Sequence, residues 1–73
     1  MTWHYGIVKH TSKLGTDWYG LHEIYVEEGK ATMHTDEPVA FVGDIAEEII
    51  VALKMALRDA RKYPVMDEIK GVE

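Results

Sequence analysis

The segment from residue 44 to residue 60 has the composition and spacing of a single helix with well-marked ends. Asp44 is a favoured N-cap residue, and Glu47 three positions later completes an acidic version of the capping box. Acidic residues in the first turn and basic residues in the last turns suit the helix dipole. Pro64 disfavours helical geometry at Tyr63 and therefore ends the helix. The sequence thus predicts a capped helix from Asp44 that closes a small β-rich domain.

The apolar residues of this helix cover more of its surface than one buried stripe requires. At about 100° per residue, one stripe contains Ile45, Ile49, Ala52, Leu53, Ala56 and Ala60, and it is widened by Ala46, Ile50 and Leu57. This arc exceeds the roughly 100° face of a typical surface helix. Val51 and Met55 lie one turn apart on the other flank. Either the helix sits deep across a curved sheet, or one flank is an association surface.

Residues before the helix are rich in β-branched and aromatic side chains, which favour strands. We predict strands at Trp3–His10, at Trp18–Glu27 and from Lys30 or Ala31 to about Thr35, with Val39–Val42 as a short continuation beyond Pro38. The polar segment 11–17 reads as a hairpin loop, and Gly29 marks a tight turn that needs positive φ. Both parities of the second strand carry bulky residues, so both faces of the sheet are expected to be partly covered.

These elements predict one α+β domain. Its architecture is a three-stranded antiparallel sheet, with a possible short fourth segment, and one C-terminal helix packed on one face in the order β-β-β-α. The domain spans residues 1–64, and residues 65–73 form a tail that packs briefly through Val65 and Met66 and then frays. A chain of 73 residues is near the lower limit for an unassisted core and has no cysteine. A partner subunit is therefore expected, in the form of a homodimer.

Composition argues against several classes of function. The formal net charge of −5 opposes binding to a phosphate backbone, so nucleic acid is an unlikely partner. The chain shows neither a signal peptide nor an apolar run of the roughly 20 residues that cross a bilayer. We therefore expect a cytoplasmic protein with no membrane partner. A cysteine nucleophile and a glycine-rich phosphate loop are absent, and Ser12 has no evident base beside it, so the sequence predicts no enzyme and no cofactor.

Four histidines are prominent in so short a chain. His4, His22 and His34 could meet across adjacent strands, with Glu23 or Asp36 as a carboxylate neighbour, and bind zinc. The fourth, His10, ends the first strand. The spacing matches no diagnostic zinc motif. The competing interpretation is that these are half-exposed strand residues that stack on tyrosines.

Aromatic side chains supply a second candidate surface. Exposed aromatics on an open sheet can stack single-stranded bases, but Lys9 is the only basic residue within the first two predicted strands. Tyr and Trp also dominate the hot spots of protein interfaces. The predicted partner-binding residues are therefore Trp3, Tyr5, Trp18, Tyr19, Tyr25, Val51 and Met55.

The junction before the helix, Val-Gly-Asp-Ile-Ala-Glu-Glu-Ile at 42–49, is followed by Ala-Leu-Arg-Asp-Ala at 56–60. After three strands, this junction resembles the N-terminal domain of HicB-like antitoxins, where Gly-Asp-Thr/Ser-x-Glu-Glu-Ala opens the helix. Ile45 replaces the usual Thr or Ser, and the family's Pro-Asp-Leu-Pro-Gly segment is absent. The resemblance implies a docking domain that neutralises a partner protein without binding DNA. The strand 19–25, Tyr-Gly-Leu-His-Glu-Ile-Tyr, also looks like one found in small bacterial and phage proteins.

The sequence therefore predicts a non-catalytic protein-interaction module, antitoxin-like or inhibitory, that forms a homodimer. One alternative is a histidine-based domain that binds a metal or a small ligand. A second alternative is nucleic-acid binding through the basic strip of the helix, which contains Lys54, Arg58, Arg61 and Lys62.

Overall fold

The α+β architecture is confirmed by a computed structural model, which describes residues 1–69. Three strands come first, followed by one helix and a short last strand. They are β1 (Thr2–Thr11), β2 (Asp17–Glu27), β3 (Lys30–His34), α1 (Ala46–Lys62) and β4 (Met66–Asp67). Within the described residues, no helix has the length and apolar content needed to cross a membrane.

The sheet has the strand order β3-β2-β1-β4. The first three strands are antiparallel, with Trp3 opposite Tyr25 and Tyr25 opposite Met33, whereas β4 runs parallel to β1. The tight turn between β2 and β3 has positive φ at Glu28 and Gly29, 51° and 80°. Positive φ at both central residues is the geometry that lets a two-residue turn match the twist of the strands it joins.

The prediction of the fourth strand was wrong in position. The fourth strand is Met66–Asp67, while Val39–Val42 is irregular. Val39 still donates its N–H to the carbonyl of Leu21 at 2.7 Å, so the chain touches β2 once more after the interruption at Pro38. Proline cannot donate to the ladder, which explains why pairing ends before it. The predicted tail begins instead with a strand, and residues 70–73 lie outside the described part of the chain.

Alternation along the strands divides the sheet into two faces. We call one the histidine face, which carries His4, Val8 and His10 of β1, His22 and Ile24 of β2, and His34 of β3. We call the other the aromatic face, which carries Trp3, Tyr5, Tyr19 and Tyr25 together with Met33. Val8, His22 and Ile24 are the largest fully buried side chains, so the core lies on the histidine face.

The start of α1 differs from the predicted cap. Ile45, whose apolar side chain cannot accept a hydrogen bond, is the N-cap residue, and the helix begins at Ala46. No side chain in the described part of the protein caps α1, and Glu48 Oε1 instead accepts the backbone N–H of Asp44, just before the helix, at 2.7 Å. Asp44 therefore lies one position too early to cap the helix with its own carboxylate. The end agrees with the prediction, because Tyr63 is extended before Pro64.

α1 docks on the sheet through small residues and one carboxylate. Within residues 1–69 it contacts the sheet through β1 alone. The buried helix residues are Ala56 and Asp59, and Asp59 Oδ2 accepts the backbone N–H of Tyr5 at 3.1 Å. That N–H points away from β2, so the helix lies along the side of β1 opposite β2. The predicted apolar stripe is correspondingly rotated, because Ile45 and Leu53 are exposed.

The segment after α1 covers the histidine face. Tyr63 stacks on His4, with ring centroids 3.6 Å apart. Beyond β4, the Glu68 N–H donates to the Lys9 carbonyl, and the Ile69 N–H donates to His34 Nε2 at 3.0 Å. Residues 63–69 thus run along β1, and the His34 side chain of β3 reaches them across this face.

Candidate functional site

An open apolar groove lies between the aromatic face and α1. We call it the Trp3 groove, and its apolar lining consists of Trp3, Tyr5, Val42, Ile45, Val51, Ala52 and Met55. Trp3 and Val51 are about half exposed, while Tyr5 is buried and forms the floor. Among the described residues that line the groove, the charged ones are Glu47 and Glu48. The groove is thus an apolar surface with an acidic rim.

Ring packing and strand geometry hold the floor of this groove in place. Trp3 and Tyr5 are two residues apart on β1 and therefore share a face, where their rings meet edge to face at 5.2 Å and 83°. Phe41, from the segment before α1, lies 6.0 Å from the Tyr5 ring. Burial raises the pKa of the Tyr5 hydroxyl, and the carboxylates of Glu23 and Asp59 raise it further. The Tyr5 hydroxyl therefore stays neutral, and the buried Tyr5 ring supports the Trp3 ring.

A second apolar surface occupies the opposite flank of α1. Ile50, Leu53 and Leu57 are 44% to 53% exposed and follow each other at spacings of three and four residues. We call this line of side chains the α1 ridge. Its residues are large, whereas the side of the helix toward β1 carries Ala52 and Ala56 beside the half-buried Ile49. The helix therefore contacts its own sheet mainly through small side chains and leaves Ile50, Leu53 and Leu57 about half in solvent.

The seven predicted partner-binding residues divide between the two faces. Trp3, Tyr5, Val51 and Met55 come together in the Trp3 groove. Tyr19 and Tyr25 also lie on the aromatic face, and Tyr25 donates its hydroxyl to Glu23 Oε1 at 2.9 Å, which raises its pKa. Trp18 is separated from them, because it lies on the histidine face and stacks on His10 at 4.1 Å.

Three histidines do meet, but they are not the predicted three. His10, His22 and His34 cluster on the histidine face, with ring centroids 4.9 to 6.1 Å apart. His4 is separated from them and stacks on Tyr63. The carboxylate beside the cluster is that of Glu68, whose Oε2 lies 2.8 Å from His10 Nδ1. The prediction that included His4, with Glu23 or Asp36 as a neighbour, was therefore wrong.

The hydrogen-bond partners fix how many protons His10 and His22 hold. His22 Nδ1 lies 2.8 Å from the Thr35 carbonyl, which can only accept, so this nitrogen donates. The two Nε2 atoms are 2.9 Å apart and need one proton between them. With Glu68 ionised, His10 Nδ1 must donate as well. Three N–H groups on four ring nitrogens give the pair one positive charge, which the Glu68 carboxylate balances.

Burial influences where that charge resides. Desolvation lowers the pKa of His22, and the neighbouring His34 and His10 lower it further against the opposing effects of Thr35 and Glu68. The charged form of His22 is therefore disfavoured. His34 must be neutral, because its Nδ1 donates to the Thr35 carbonyl while its Nε2 accepts the Ile69 N–H.

This arrangement is suited to holding the chain together. All six ring nitrogens of the cluster are used in hydrogen bonds to each other, to Thr35, to Glu68 or to Ile69. A metal ion would have to displace several of these bonds. Among residues 1–69, no group of three or more His, Cys, Asp or Glu side chains is arranged to hold one.

The basic strip lies along the C-terminal half of α1, where Lys54, Arg58, Arg61 and Lys62 surround Leu57. Two of these cations already have intramolecular contacts. Arg58 Nε donates to Asp59 Oδ1 at 3.1 Å, and Lys62 Nζ lies 5.3 Å from the centre of the Tyr63 ring. The strip is short compared with the extended basic surface that tracks a phosphate backbone.

Sequence reasoning did not single out Asp59, His10 and Glu68. A signal existed for Asp59, because it follows Ile49, Ala52 and Ala56 at helical spacing, and a carboxylate within an apolar stripe indicates a buried partner. His10 could have been placed by following the alternation of the predicted first strand to its end, which puts His10 on the same side as His4 and Val8. Glu68 reaches the cluster through a turn of the chain after Pro64, for which the sequence carries no periodic pattern.

The chain matches no protein-family model, no curated protein and no solved structure.

Proposed function

We propose that this chain is a non-catalytic protein-interaction module that binds a segment of a partner protein in the Trp3 groove. The observation that carries the proposal is the convergence of Trp3, Val51 and Met55 around a concave apolar surface that the fold leaves open. Tryptophan is one of the residues most enriched at interface hot spots, which lie in well-packed pockets. Four of the seven residues predicted from sequence line this groove, which adds support.

The chemistry of the groove defines the partner. Its floor and walls are apolar, while Glu47 and Glu48 supply negative charge at one end. The whole chain has a formal net charge of −5. A segment that places an apolar side chain in the groove and a lysine or arginine at its rim matches both features, since charge complementarity guides association and selects among partners. The partner segment is accordingly basic and amphipathic.

Several parts of the proposal rest on the sequence. The HicB-like junction supports an antitoxin-like or inhibitory role, in which the module neutralises the protein it binds. The absence of a cysteine nucleophile and of a phosphate loop supports a non-catalytic role, and the composition supports a cytoplasmic location. Self-association as a homodimer is included, because the α1 ridge exposes apolar area that a domain of this size can use for stability.

The docking part is tested with a synthetic amphipathic peptide of leucine and lysine. In NMR titrations, the peptide should shift the Trp3 indole and the methyl groups of Val51 and Met55. Trp3→Ala should weaken binding at least about tenfold, as expected for a hot-spot tryptophan. A peptide in which glutamate replaces each lysine should bind more weakly, because it meets the acidic rim with like charge.

Trp18→Ala is the matched control. Trp3 is 46% and Trp18 45% exposed, but they lie on opposite faces of the sheet. Trp18→Ala should leave peptide binding unchanged. Equal losses in both variants, or a glutamate peptide that binds as well as the lysine peptide, would refute the assignment of the groove.

A further inference from the structure

We infer that the α1 ridge is the dimer interface and that a second copy of this chain packs against it with the two helices antiparallel about a two-fold axis. This inference rests on the homodimer part of the proposed function. It adds which surface is buried in the dimer, how the two helices are oriented and why both Trp3 grooves stay open. The Val51 and Met55 flank, predicted from sequence as a partner surface, is thereby left to the partner segment.

The spacing of the ridge is that of a helix–helix seam. Ala46, Ile50, Leu53, Leu57 and Ala60 follow one another at intervals of four, three, four and three residues. This is the a/d pattern by which two helices interlock side chains. The three large members are about half exposed, so the seam has no occupant among the described residues.

Charges along the ridge select the orientation. Glu47, Lys54 and Arg61 recur every seven residues and border the ridge. Parallel helices would place Lys54 and Arg61 beside Ile49 and Ala56 of the other chain, where no opposite charges meet. Antiparallel helices place the Glu47 carboxylate of one chain beside the Arg61 guanidinium of the other, twice in the symmetric pair. Only Lys54, near the middle of the helix, then lies close to its copy.

The position of the ridge on the helix has a consequence for binding. The ridge and the Val51–Met55 flank lie on opposite sides of α1, separated by the side that contacts β1 and by the solvent side. A dimer through the ridge therefore leaves both Trp3 grooves open. Such a dimer presents two identical docking sites, and a partner with two copies of its segment would bind with avidity.

One substitution on each flank tests the surface. Leu53 is 50% and Val51 47% exposed, which makes Leu53→Glu and Val51→Glu a matched pair. Leu53→Glu should weaken self-association at least about tenfold, since a carboxylate would be buried in the seam. Val51→Glu should leave the solution mass unchanged at every concentration. Circular dichroism establishes that both variants fold.

Cross-linking tests the orientation, and the native chain has no cysteine to interfere. Glu47→Cys and Arg61→Cys proteins should form a mixed disulfide dimer when combined under oxidising conditions, and neither should cross-link to itself. Absence of the mixed disulfide, self-linking of Glu47→Cys, or dissociation by Val51→Glu but not Leu53→Glu, would overturn this inference while leaving the homodimer intact. A wild-type monomer at all concentrations would refute the homodimer itself.

Discussion

The two faces of the sheet achieve burial in opposite ways. Residues 63–69 pack against the histidine face, whose core contains His10 and His22 beside Val8 and Ile24. The aromatic face carries more apolar bulk, yet Trp3, Tyr19 and Met33 remain exposed. At these positions two histidines are inside and three large apolar side chains are outside, which is the reverse of the usual partition for these residue types.

This reversal separates stability from binding. Every ring nitrogen of the clustered histidines has a hydrogen-bond partner, which meets the requirement for burying polar groups. The exposed aromatics stabilise the isolated chain less than their size allows, so their apolar area is available for a second molecule. Stability is therefore expected to depend on the histidine face and association on the aromatic face and α1.

The largest expected loss of stability comes from truncating a buried side chain in the core of the histidine face. Ile24 is 1% exposed, and Ile24→Ala should lower the free energy of unfolding by about 2–5 kcal/mol, from lost burial and from the cavity left behind. Urea unfolding followed by circular dichroism measures this loss. Such a loss is a large part of the total stability of a small domain.

Met33→Ala is the counterpart on the aromatic face. Met33 pairs with Tyr25 across the sheet and is 51% exposed, so its removal should change stability by no more than about 0.5 kcal/mol. If the two variants lost equal stability, the aromatic face would be part of the core and the separation of roles would fail.

The fold was predictable from sequence where the signal is local. The strands at Trp3–His10 and Trp18–Glu27 lie within one residue of β1 and β2, because alternating bulk and turn residues specify them. The position of the fourth strand was not predictable in this way. β4 has two residues and forms only because Pro64 redirects the chain along β1, which is a tertiary event.

Asp59 affects both the Trp3 groove and the histidine face. It holds α1 in place, and α1 lines the groove and leads into residues 63–69, which pack on the histidine face. Asp59→Ala should lower the free energy of unfolding by about 1–3 kcal/mol, since the buried N–H of Tyr5 loses its acceptor. Asp59→Asn should lose less, because its amide oxygen can still accept that N–H. Urea unfolding gives both values, and Trp3 fluorescence reports whether the groove loosens.

A different ranking of these variants would change the account of helix docking. Burying a carboxylate carries a desolvation cost that its hydrogen bonds need not repay. An Asp59→Ala protein as stable as the Asp59→Asn protein would mean that the carboxylate contributes nothing net, and that the alanines of α1 alone hold the helix to β1.

The residues of the candidate site were predictable from the sequence, but their arrangement in space was not. Trp3, Val51 and Met55 were identified by residue type and helical flank, which are local properties. These residues come together only because α1 lies along β1. The side of α1 that faces the sheet also differs from the predicted stripe, since Ile45 and Leu53 are exposed. Amphipathicity alone did not determine that rotation, because an apolar arc this wide has no single buried centre.

The smallest expected effect is a dependence of stability on pH that belongs to the histidine face alone. The folded chain holds the pKa of His22 below its ordinary value near 6.5, mainly by burial. As pH falls below that value, the unfolded chain binds a proton that the folded chain resists, so the free energy of unfolding should fall. His22→Asn keeps a donor for the Thr35 carbonyl but removes the titrating ring. This variant should therefore be less stable at pH 8, and its stability should change less between pH 8 and pH 5.

NMR of the His22 ring measures its titration directly. A midpoint at or above the ordinary value would show that the cluster accepts a second proton, and the single shared charge inferred for His10 and His22 would then be wrong.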